Sequence, residues 1–427
     1  MLTTLINAFR EKEIRKKMLM TMLMLLVFRL GCFIPVPGIA SESFSTLATN
    51  DFFKIISTIT GGSLANGTLF ALGILPFINA FIIMQLLTLV IPPLDKLSKQ
   101  GEAGRKKITQ ITRYAAIVLA IIQAVGICLS WGVDKFDATL GSQPLSMALV
   151  IIMLVGGSCL VMWIADRITE YGVGNGTSLI IFVGILASAG QRLLSAMTAA
   201  GDGDVAKNVW LIIAFLLMVL FVFVFIIFVD LAERRITIQY AKQVKGNKMY
   251  GGQSTHIPMK VNASGVMPII FASSFLMFPQ MIASFWPNSG FYQWWSRWLG
   301  IGSPIYIAVL CLLILFFSFF YSQIQFNPED ISRNIQQNGG FIPGIRPGRP
   351  TTDYLKKINN RITLFGAIFL ALLALVTSIV LPAVGSENGL GNAFSATGLL
   401  IVVSVAMEFD TQLQNQLMMK HYKGFLK

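Results

Sequence analysis

The stretch DFFKIISTITGGSLANGTLFALG, residues 51–73, holds an apolar segment that is too short to cross a membrane. Residues 52–60 are apolar enough for lipid or a protein core, but Gly61 and Gly62 follow at once and favour the end of a helix. A span needs about 20 apolar residues, and irregular backbone at membrane depth is tolerated only where protein or a water-filled cavity surrounds it. The stretch therefore predicts a half-helix that enters an internal cavity from outside. A helix lying flat on the membrane surface is the alternative.

The sequence around this stretch is that of an all-α polytopic membrane protein. Of its 427 residues, 55% are hydrophobic and only 12% are charged, whereas soluble domains have about 25% charged residues. Windows of about 20 residues predict ten transmembrane helices. Their approximate spans are 18–37, 69–91, 112–132, 145–165, 177–194, 209–229, 263–287, 304–325, 361–383 and 392–409.

Basic residues predict the orientation of these ten helices. If the N-terminus is cytoplasmic, five of the 33 lysines and arginines fall in external segments, and Arg29 lies within the first span. The five are Lys54, Lys135, Arg192, Lys207 and Arg297. Because cytoplasmic segments carry the excess of Lys and Arg, both chain termini are predicted to be cytoplasmic, in agreement with an even number of spans.

The ten spans divide into two halves at the external loop of residues 199–208, which is rich in Gly and Asp. The N-terminal half, residues 1–200, holds the first five spans. The C-terminal half, residues 201–427, holds the other five, two basic cytoplasmic loops at about 230–262 and 326–361, and a C-terminal tail at about 410–427. Each half begins with a cytoplasmic basic segment and contains a broken apolar helix. This pattern is compatible with inverted repeats that meet near the membrane midplane.

Few residues in the spans could carry catalysis or hold a metal. The four cysteines lie in apolar spans without the spacing of metal ligands, and both histidines lie in cytoplasmic segments. The sequence GDGD at 201–204 matches a pattern of membrane aspartyl proteases, but it lies in a polar loop without an intramembrane partner. We therefore expect neither an enzyme nor a cofactor. A secondary transporter of a small solute is the alternative to a channel, although no carboxylate lies near a midplane to carry a coupling ion.

Seven stretches, in order over nearly the whole chain, carry a family pattern. They are FRLGCFIPVPGI (28–39), FALGILPFINAFIIMQLLT (70–88), EAGRKKITQITRY (102–114), ITEYGVGNGTSLIIFVGI (168–185), AERRITIQYAKQ (232–243), QSTHIPMKVNASGVMP (253–268) and GGFIPGIRPGRPT (339–351). These stretches closely resemble the bacterial SecY family, the channel subunits of the protein translocase. Two positions depart from the family: Phe81 stands where a small polar residue is usual, and Asn79 stands where a serine is common.

The resemblance implies a clamshell of two pseudo-symmetric halves, in which the re-entrant half-helix at about 52–66 is a plug and six apolar side chains form a pore ring. On the matching positions, the ring is Ile74, Ile78, Ile181, Ile185, Ile270 and Ile401. The plug residues are Phe52, Phe53, Ile55, Ile56, Ile59, Gly61 and Gly62. A lateral gate is expected between the second and third helices of one half and the seventh and eighth of the other, with Asn79 and Gln123 as its polar contacts.

The resemblance also implies a passive channel in the bacterial plasma membrane, which translocates unfolded preproteins and releases transmembrane segments laterally. The implied partners are SecE and SecG, the motor ATPase SecA, the ribosome through its RNA, preprotein signal sequences and nascent chains, and membrane lipids. The loop GFIPGIRPGRPT has three prolines, so we expect a stiff tip that neither extends a helix nor pairs as a strand. The residues expected to bind the cytosolic partners are Arg346, Arg349, Arg234, Arg235, Lys242, Lys245 and Lys248.

Overall fold

The computed structural model describes residues 2–37, 57–131, 143–199, 205–240, 243–245, 248–250, 254–262, 265, 267–284, 289–300, 303–385 and 396–424. Most of these residues are helical. The helices are α1 (Leu2–Arg10), α2 (Lys12–Gly31), α3 (Leu75–Val90), α4 (Pro92–Ser98), α5 (Glu102–Trp131), α6 (Gln143–Tyr171), α7 (Gly176–Ala199), α8 (Val205–Asp230), α9 (Met267–Ser284), α10 (Gly290–Leu299), α11 (Pro304–Gln325), α12 (Pro328–Gln337), α13 (Arg349–Gly385) and α14 (Ala396–Gly424). The strands are β1 (Glu233–Tyr240), β2 (Gln243–Lys245), β3 (Lys248–Tyr250), β4 (Ser254–Lys260) and β5 (Gly340–Phe341).

Each of the ten predicted spans corresponds to a helix in the described part of the chain. Six helices are long and apolar enough to cross a bilayer alone, namely α5, α6, α7, α8, α11 and α13. A seventh candidate is bent, since α3 and α4 meet at 105°. Helix α9 is apolar but shorter, and α2 and α14 each join an apolar part to a polar or charged end. The all-α polytopic fold is confirmed.

The second span begins later than the sequence predicts. Residues 68–74 form turns, and α3 begins only at Leu75, with Pro76 in its first turn, where a proline ring is tolerated. The backbone before it pairs with the end of the first span, through Val36 N–H to Gly67 O at 3.0 Å and Leu69 N–H to Ile34 O at 2.9 Å. These bonds satisfy polar backbone groups that would be costly in lipid.

Helices of the two predicted halves share one hydrophobic core. Helix α7 packs against α14, and α5 contacts α9. The short segment of residues 57–74 packs into this core, where the rings of Phe28 and Phe70 stack with centroids 5.9 Å apart. Close approach of its backbone to Gly157 of α6 and Gly184 of α7 depends on the absence of a side chain at those two positions. The segment is thus enclosed by protein, as the re-entrant interpretation requires.

The two ends of the chain lie on the same side of the molecule. Helix α1 contacts α2 and α14, and a small apolar cluster joins the N-terminal helices to α14 and to the turn after α6. Its buried members are Ala8, Ile14, Met18, Val173 and Leu413. An even number of membrane crossings is the arrangement that brings both ends to one face.

A small sheet, which the sequence analysis did not predict, joins the two long loops. Strand β1 pairs antiparallel with β4, from Glu233 opposite Lys260 to Gln239 opposite Ser254, and β5 pairs with the end of β1. Strands β2 and β3 form a separate two-stranded ladder. The sheet, α12 and the start of α13 enclose a second hydrophobic core, which includes Ile236, Ile238, Met259, Ile335, Ile342 and Leu355. The loops at about 230–262 and 326–361 are therefore one folded unit.

Candidate functional site

A vestibule opens on the side of the molecule that carries the sheet. It is a cavity of about 510 Å³. Along α14 its lining runs from Ile401 to Gln412, a depth of about 16 Å at 1.5 Å per residue. Its inner end is apolar, with Ile181, Ile270 and Ile401. Its outer part carries the charged residues Asp230, Glu233, Lys260 and Glu408.

Four of the six predicted ring residues line this vestibule or the cavity next to it. The second cavity has a volume of about 190 Å³ and shares Ile181 and Ile270 with the vestibule. It adds Ile78 and Phe81 of α3, so an aromatic ring stands beside the isoleucines where the family usually has a small polar residue. Ile74 and Ile185 line neither of these two cavities, but both are buried in the same hydrophobic core. The structure thus brings Ile78, Ile181, Ile270 and Ile401 to the lining of two adjoining cavities.

The described end of the predicted plug is buried and held by hydrogen bonds. Residues 57–59 are helical, and the chain then turns at Gly61 and Gly62, where φ is 72° and 87°. Such positive values favour glycine. Phe52, Phe53, Ile55 and Ile56 lie outside the described residues, and Ile59 packs against the main core. Burial of this end within protein favours the cavity interpretation over a helix on the membrane surface.

Two arginines inside the predicted membrane region bind this segment. Arg29 Nη1 in α2 donates to the Gly61 carbonyl at 2.9 Å. Arg192 Nη2 in α7 donates to Thr58 Oγ1 at 3.0 Å, and the Ser188 hydroxyl donates to the Thr58 carbonyl at 2.9 Å. The sequence analysis counted Arg192 among the external residues, and in the structure α7 continues through it to Ala199. We call residues 57–62 with these contacts the plug base.

The predicted lateral gate brings α3 and α5 close to α9. Phe77 and Phe81 of α3 line the smaller cavity together with Phe271 of α9. Gln123 is buried and Asn79 is half-buried, but no hydrogen bond joins the two side chains within the described residues. The sequence analysis did not select Gln85 of α3, whose Oε1 is buried without a hydrogen-bond partner in the described part of the chain. This residue lies near Tyr321 of α11, which is too far away in the chain for the sequence to indicate their proximity.

Hydrogen bonds to Asp230 join three segments around the vestibule. Asn262 Nδ2 donates to Asp230 Oδ1 at 2.8 Å, and the Ser404 hydroxyl donates to Oδ2 at 3.0 Å. The carboxylate therefore holds the end of α8, the turn before α9 and the middle of α14 together. The sequence analysis did not select these residues. The sequence did contain one signal for this site, because Asp230 is a single carboxylate at the end of the long uncharged part of α8.

The predicted partner-binding tip is a turn at residues 342–348, with Arg346 exposed. Glycines with φ of 81° and 98° lie on either side of it, at Gly344 and Gly348. The Thr351 hydroxyl donates to the Arg346 carbonyl at 2.9 Å, and Ile342 below packs into the second core. Two expectations were wrong, because β5 at the start of this loop pairs as a strand and Arg349 is the first residue of α13. Tertiary contacts hold the start of this loop in β5 and its end in α13. Pro343 and Pro347 stiffen the turn between them.

Of the other predicted cationic residues, Arg234 and Arg235 can be placed relative to the tip. Arg234 and Arg235 are exposed at the start of β1, and Arg235 Nε is 2.7 Å from Glu233 Oε1. Lys245 and Lys248 face each other in the β2–β3 ladder, and Lys242 lies outside the described residues. Strand β5 pairs at Gln239, four residues beyond Arg235, a distance of about 13 Å along the strand. The arginines at the base of β1 are therefore separate from the tip.

These features together define a class of protein. A bundle of apolar helices long enough to cross a membrane surrounds a vestibule lined by charged residues and by isoleucines, and a re-entrant segment is embedded in its core. This is the architecture of a multi-pass membrane channel.

The comparisons with known proteins specify the family. The SecY family model matches residues 68–409. The protein translocase subunits SecY of Streptomyces galbus and Halalkalibacterium halodurans are both 41% identical to this chain, and each alignment covers 100% of both sequences. The corresponding subunit of Thermus thermophilus is 40% identical, over 100% of this chain and 98% of its own. The chain therefore belongs to the SecY family, and it is a protein-conducting channel.

Solved structures share the fold. One described as a protein-conducting channel has a TM-score of 0.65 and 20% identity, over 94% of this chain and 92% of its own. Sec61 in the canine ribosome–channel complex from the endoplasmic reticulum has a TM-score of 0.59 and 19% identity, with the same coverage of both chains. At these identities the likeness concerns the fold alone.

Proposed function

We propose that this chain is a passive channel in the bacterial plasma membrane, with both termini in the cytoplasm, which translocates unfolded preproteins and releases transmembrane segments laterally. One observation carries the proposal. Ile181, Ile270 and Ile401 line the vestibule together, and a hydrogen-bonded re-entrant segment is embedded beside α7 in the same core. A cavity built in this way fits a path that is open to the cytoplasm and closed within the membrane.

The isoleucine ring closes the channel at rest in this proposal. Its members are Ile74, Ile78, Ile181, Ile185, Ile270 and Ile401, and their side chains offer no hydrogen bond to water or to a substrate. An apolar constriction excludes water and ions by dewetting. Because no ring residue prefers a particular side chain, the ring can part around an extended polypeptide of any sequence. The chain itself performs no catalysis, and the energy comes from its partners or from the membrane potential.

The two halves, residues 1–200 and 201–427, open like a clamshell in this proposal, with the lateral gate between α3 and α5 on one side and α9 and α11 on the other. The polar side chains available to the gate are Asn79, Gln123 and Gln85. Polar contacts between membrane helices average only about 0.6 kcal/mol. Such a gate can be opened by a signal sequence that partitions into lipid.

The cytosolic unit is the proposed binding surface for the ribosome and for SecA. Support comes from the rigid exposure of Arg346 and from the fold shared with a channel that occurs in a ribosome complex. Arginine forks suit the phosphates of RNA and the carboxylates of a protein. Arg349 would add positive charge next to the tip, and Arg234, Arg235, Lys242, Lys245 and Lys248 would add it on the loop of β1 to β4. SecE and SecG are the proposed small membrane subunits, in contact with lipid-exposed helices.

Reconstitution tests the proposal directly. The purified complex is placed in lipid vesicles, and uptake of a preprotein with a signal sequence is measured with and without SecA and ATP. We expect protease-protected preprotein only when the motor is present, and none for a preprotein without its signal sequence. Saturable flux of a small solute without motor or ribosome, together with no preprotein uptake, would instead identify a secondary transporter.

A further inference from the structure

Helix α10, with the sequence GFYQWWSRWL, has one aromatic side and one polar side. It connects α9 to α11 on the face of the molecule opposite the sheet. At 100° per residue, six apolar side chains fall within an arc of about 160°. In order around the helix they are Trp294, Trp298, Phe291, Trp295, Leu299 and Tyr292. The opposite side carries Gln293, Ser296 and Arg297.

Half of the aromatic side is uncovered by protein. Phe291, Trp294 and Trp298 are 49%, 53% and 48% exposed. The helix contacts α9 and α11, yet none of its residues is fully buried. Trp295 Nε1 is shielded from water and has no hydrogen-bond partner in the described part of the chain. Three large aromatic rings in a row therefore face away from the protein.

Two serines fix the position of this helix. The Ser289 hydroxyl caps its start by accepting from the Tyr292 N–H at 3.2 Å. The Ser303 hydroxyl donates to the Trp298 carbonyl at 2.9 Å and accepts from the Tyr306 N–H at 3.1 Å. The same hydroxyl thus closes α10 and caps the start of α11. The aromatic helix is held at the point where α11 leaves the membrane.

We propose that α10 lies flat in the outer interface of the membrane, with Phe291, Trp294 and Trp298 inserted between lipid headgroups and acyl chains. The two helices that α10 contacts, α9 and α11, also expose large apolar side chains, among them Phe275, Ile282 and Ile305. Tryptophan and tyrosine are enriched at membrane interfaces because their rings join an apolar body to a polar tip. An amphipathic helix with a single charge on its polar side fits a lipid surface.

The test is a nitroxide scan of the full chain in vesicles of phosphatidylcholine and phosphatidylglycerol, with the four native cysteines replaced by alanine. Single cysteines are introduced as Trp294→Cys and Trp298→Cys on the aromatic side, and as Gln293→Cys and Arg297→Cys as matched controls on the polar side. Collision rates with oxygen, which concentrates in lipid, and with a water-soluble nickel complex are then compared.

We expect the ratio of oxygen to nickel collisions to be severalfold higher at 294 and 298 than at 293 and 297. Equal nickel access at all four positions would overturn the proposal, since it would mean that the aromatic side faces water or awaits a protein partner. Protection of 294 and 298 from both reagents would also overturn it. A second measurement keeps the native cysteines: lipids brominated near the headgroup should quench tryptophan emission of the wild-type chain more than that of a Trp294→Phe, Trp298→Phe variant.

Discussion

At the scale of single residues, the two arginines of the plug base show how charge can be kept inside a membrane protein. An arginine in the middle of a span costs about 2.5 to 3.5 kcal/mol on insertion scales. Arg29 and Arg192 each donate to the re-entrant segment instead of reaching lipid. Displacement of residues 57–62 would therefore break these bonds, which hold the plug base where the structure shows it.

Arg192→Gln should make the resting channel open more often. The substitution removes the charged donor to Thr58, and a hydrogen bond contributes about 0.5 to 1.5 kcal/mol, so we expect the open probability at rest to rise about two- to tenfold. Single-channel recording in planar bilayers measures this. Arg297→Gln, an exposed arginine on α10, is the matched control and should leave the open probability unchanged. Equal open probabilities in both variants would contradict the assigned contact.

Replacement of Ile78 and Ile401 by serine should make the resting channel conduct ions. Two hydroxyl groups would stabilise water in the apolar constriction that the proposed ring forms. Resting conductance of vesicles or planar bilayers should rise well above the wild-type level. Ile314→Ser is the control, because Ile314 is equally buried in α11 but lines neither cavity. A similar leak in that control would show that loosened packing, and not a ring, explains the effect.

Arg346→Glu should leave folding and membrane insertion intact but reduce SecA-driven translocation. The side chain is exposed on a turn whose shape depends on glycines and on the second core, so the unfolding free energy should change by less than about 0.5 kcal/mol. Loss of a central charged contact is worth about 2 kcal/mol or more, and we expect the translocation rate to fall at least about tenfold. Arg333→Glu, on the neighbouring helix α12, is the control. If the variant is expressed normally and translocates at the wild-type rate, this tip does not contact SecA.

At the scale of elements, α9 combines the predicted gate surface with the attachment of α10. It contacts α5 across the gate and α10 at its outer end. If α10 lies in the membrane interface, the outer end of α9 is held at a fixed depth. Outward movement of α9 would then carry three aromatic rings through the headgroup layer. Because that movement costs free energy, α10 would oppose the opening of the lateral gate.

The double substitution Trp294→Gln and Trp298→Gln should make outward movement of α9 easier. We expect preproteins with defective signal sequences to be translocated severalfold faster by this variant than by the wild type, because less free energy is needed to move α9. The matched control is Gln293→Ala with Ser296→Ala on the polar side of the same helix. Vesicle uptake assays with normal and defective signal sequences measure the ratio. If both variants distinguish normal from defective signal sequences as well as the wild type does, α10 has no part in the opening of the gate.

At the scale of the whole molecule, the fold was predictable because each span carries its own signal of about 20 apolar residues. The ring positions followed from family resemblance, and four of them proved to lie on two adjoining cavities. The small sheet was missed because ERRITIQY is short and polar on one side, and its partner strands lie in another part of the sequence. The contacts of Arg192 and Asp230 were missed because their partners, Thr58 and Ser404, are 134 and 174 residues away.

The proposed orientation predicts that both ends of the chain are accessible from the cytoplasm. A peptide tag at either end should react with a membrane-impermeant protease in inverted vesicles and resist it in spheroplasts. A cysteine introduced as Gln293→Cys on α10 should show the opposite accessibility to an impermeant thiol reagent. Tags that are cleaved from opposite sides would contradict both the orientation and the even number of crossings.

The apolar cluster that joins the two ends of the chain has a consequence for the order of events during synthesis. Ile14 leaves the ribosome early, whereas Leu413, which completes the cluster, is made about 400 residues later. At about 5 to 20 residues per second, this interval lasts about 20 to 80 s. During this interval the apolar sides of α1 and α2 are not yet covered by Leu413 of α14. The first helices to be synthesised are thus among the last to be fully packed, and a chain stalled before α14 should expose its N-terminus to proteolysis.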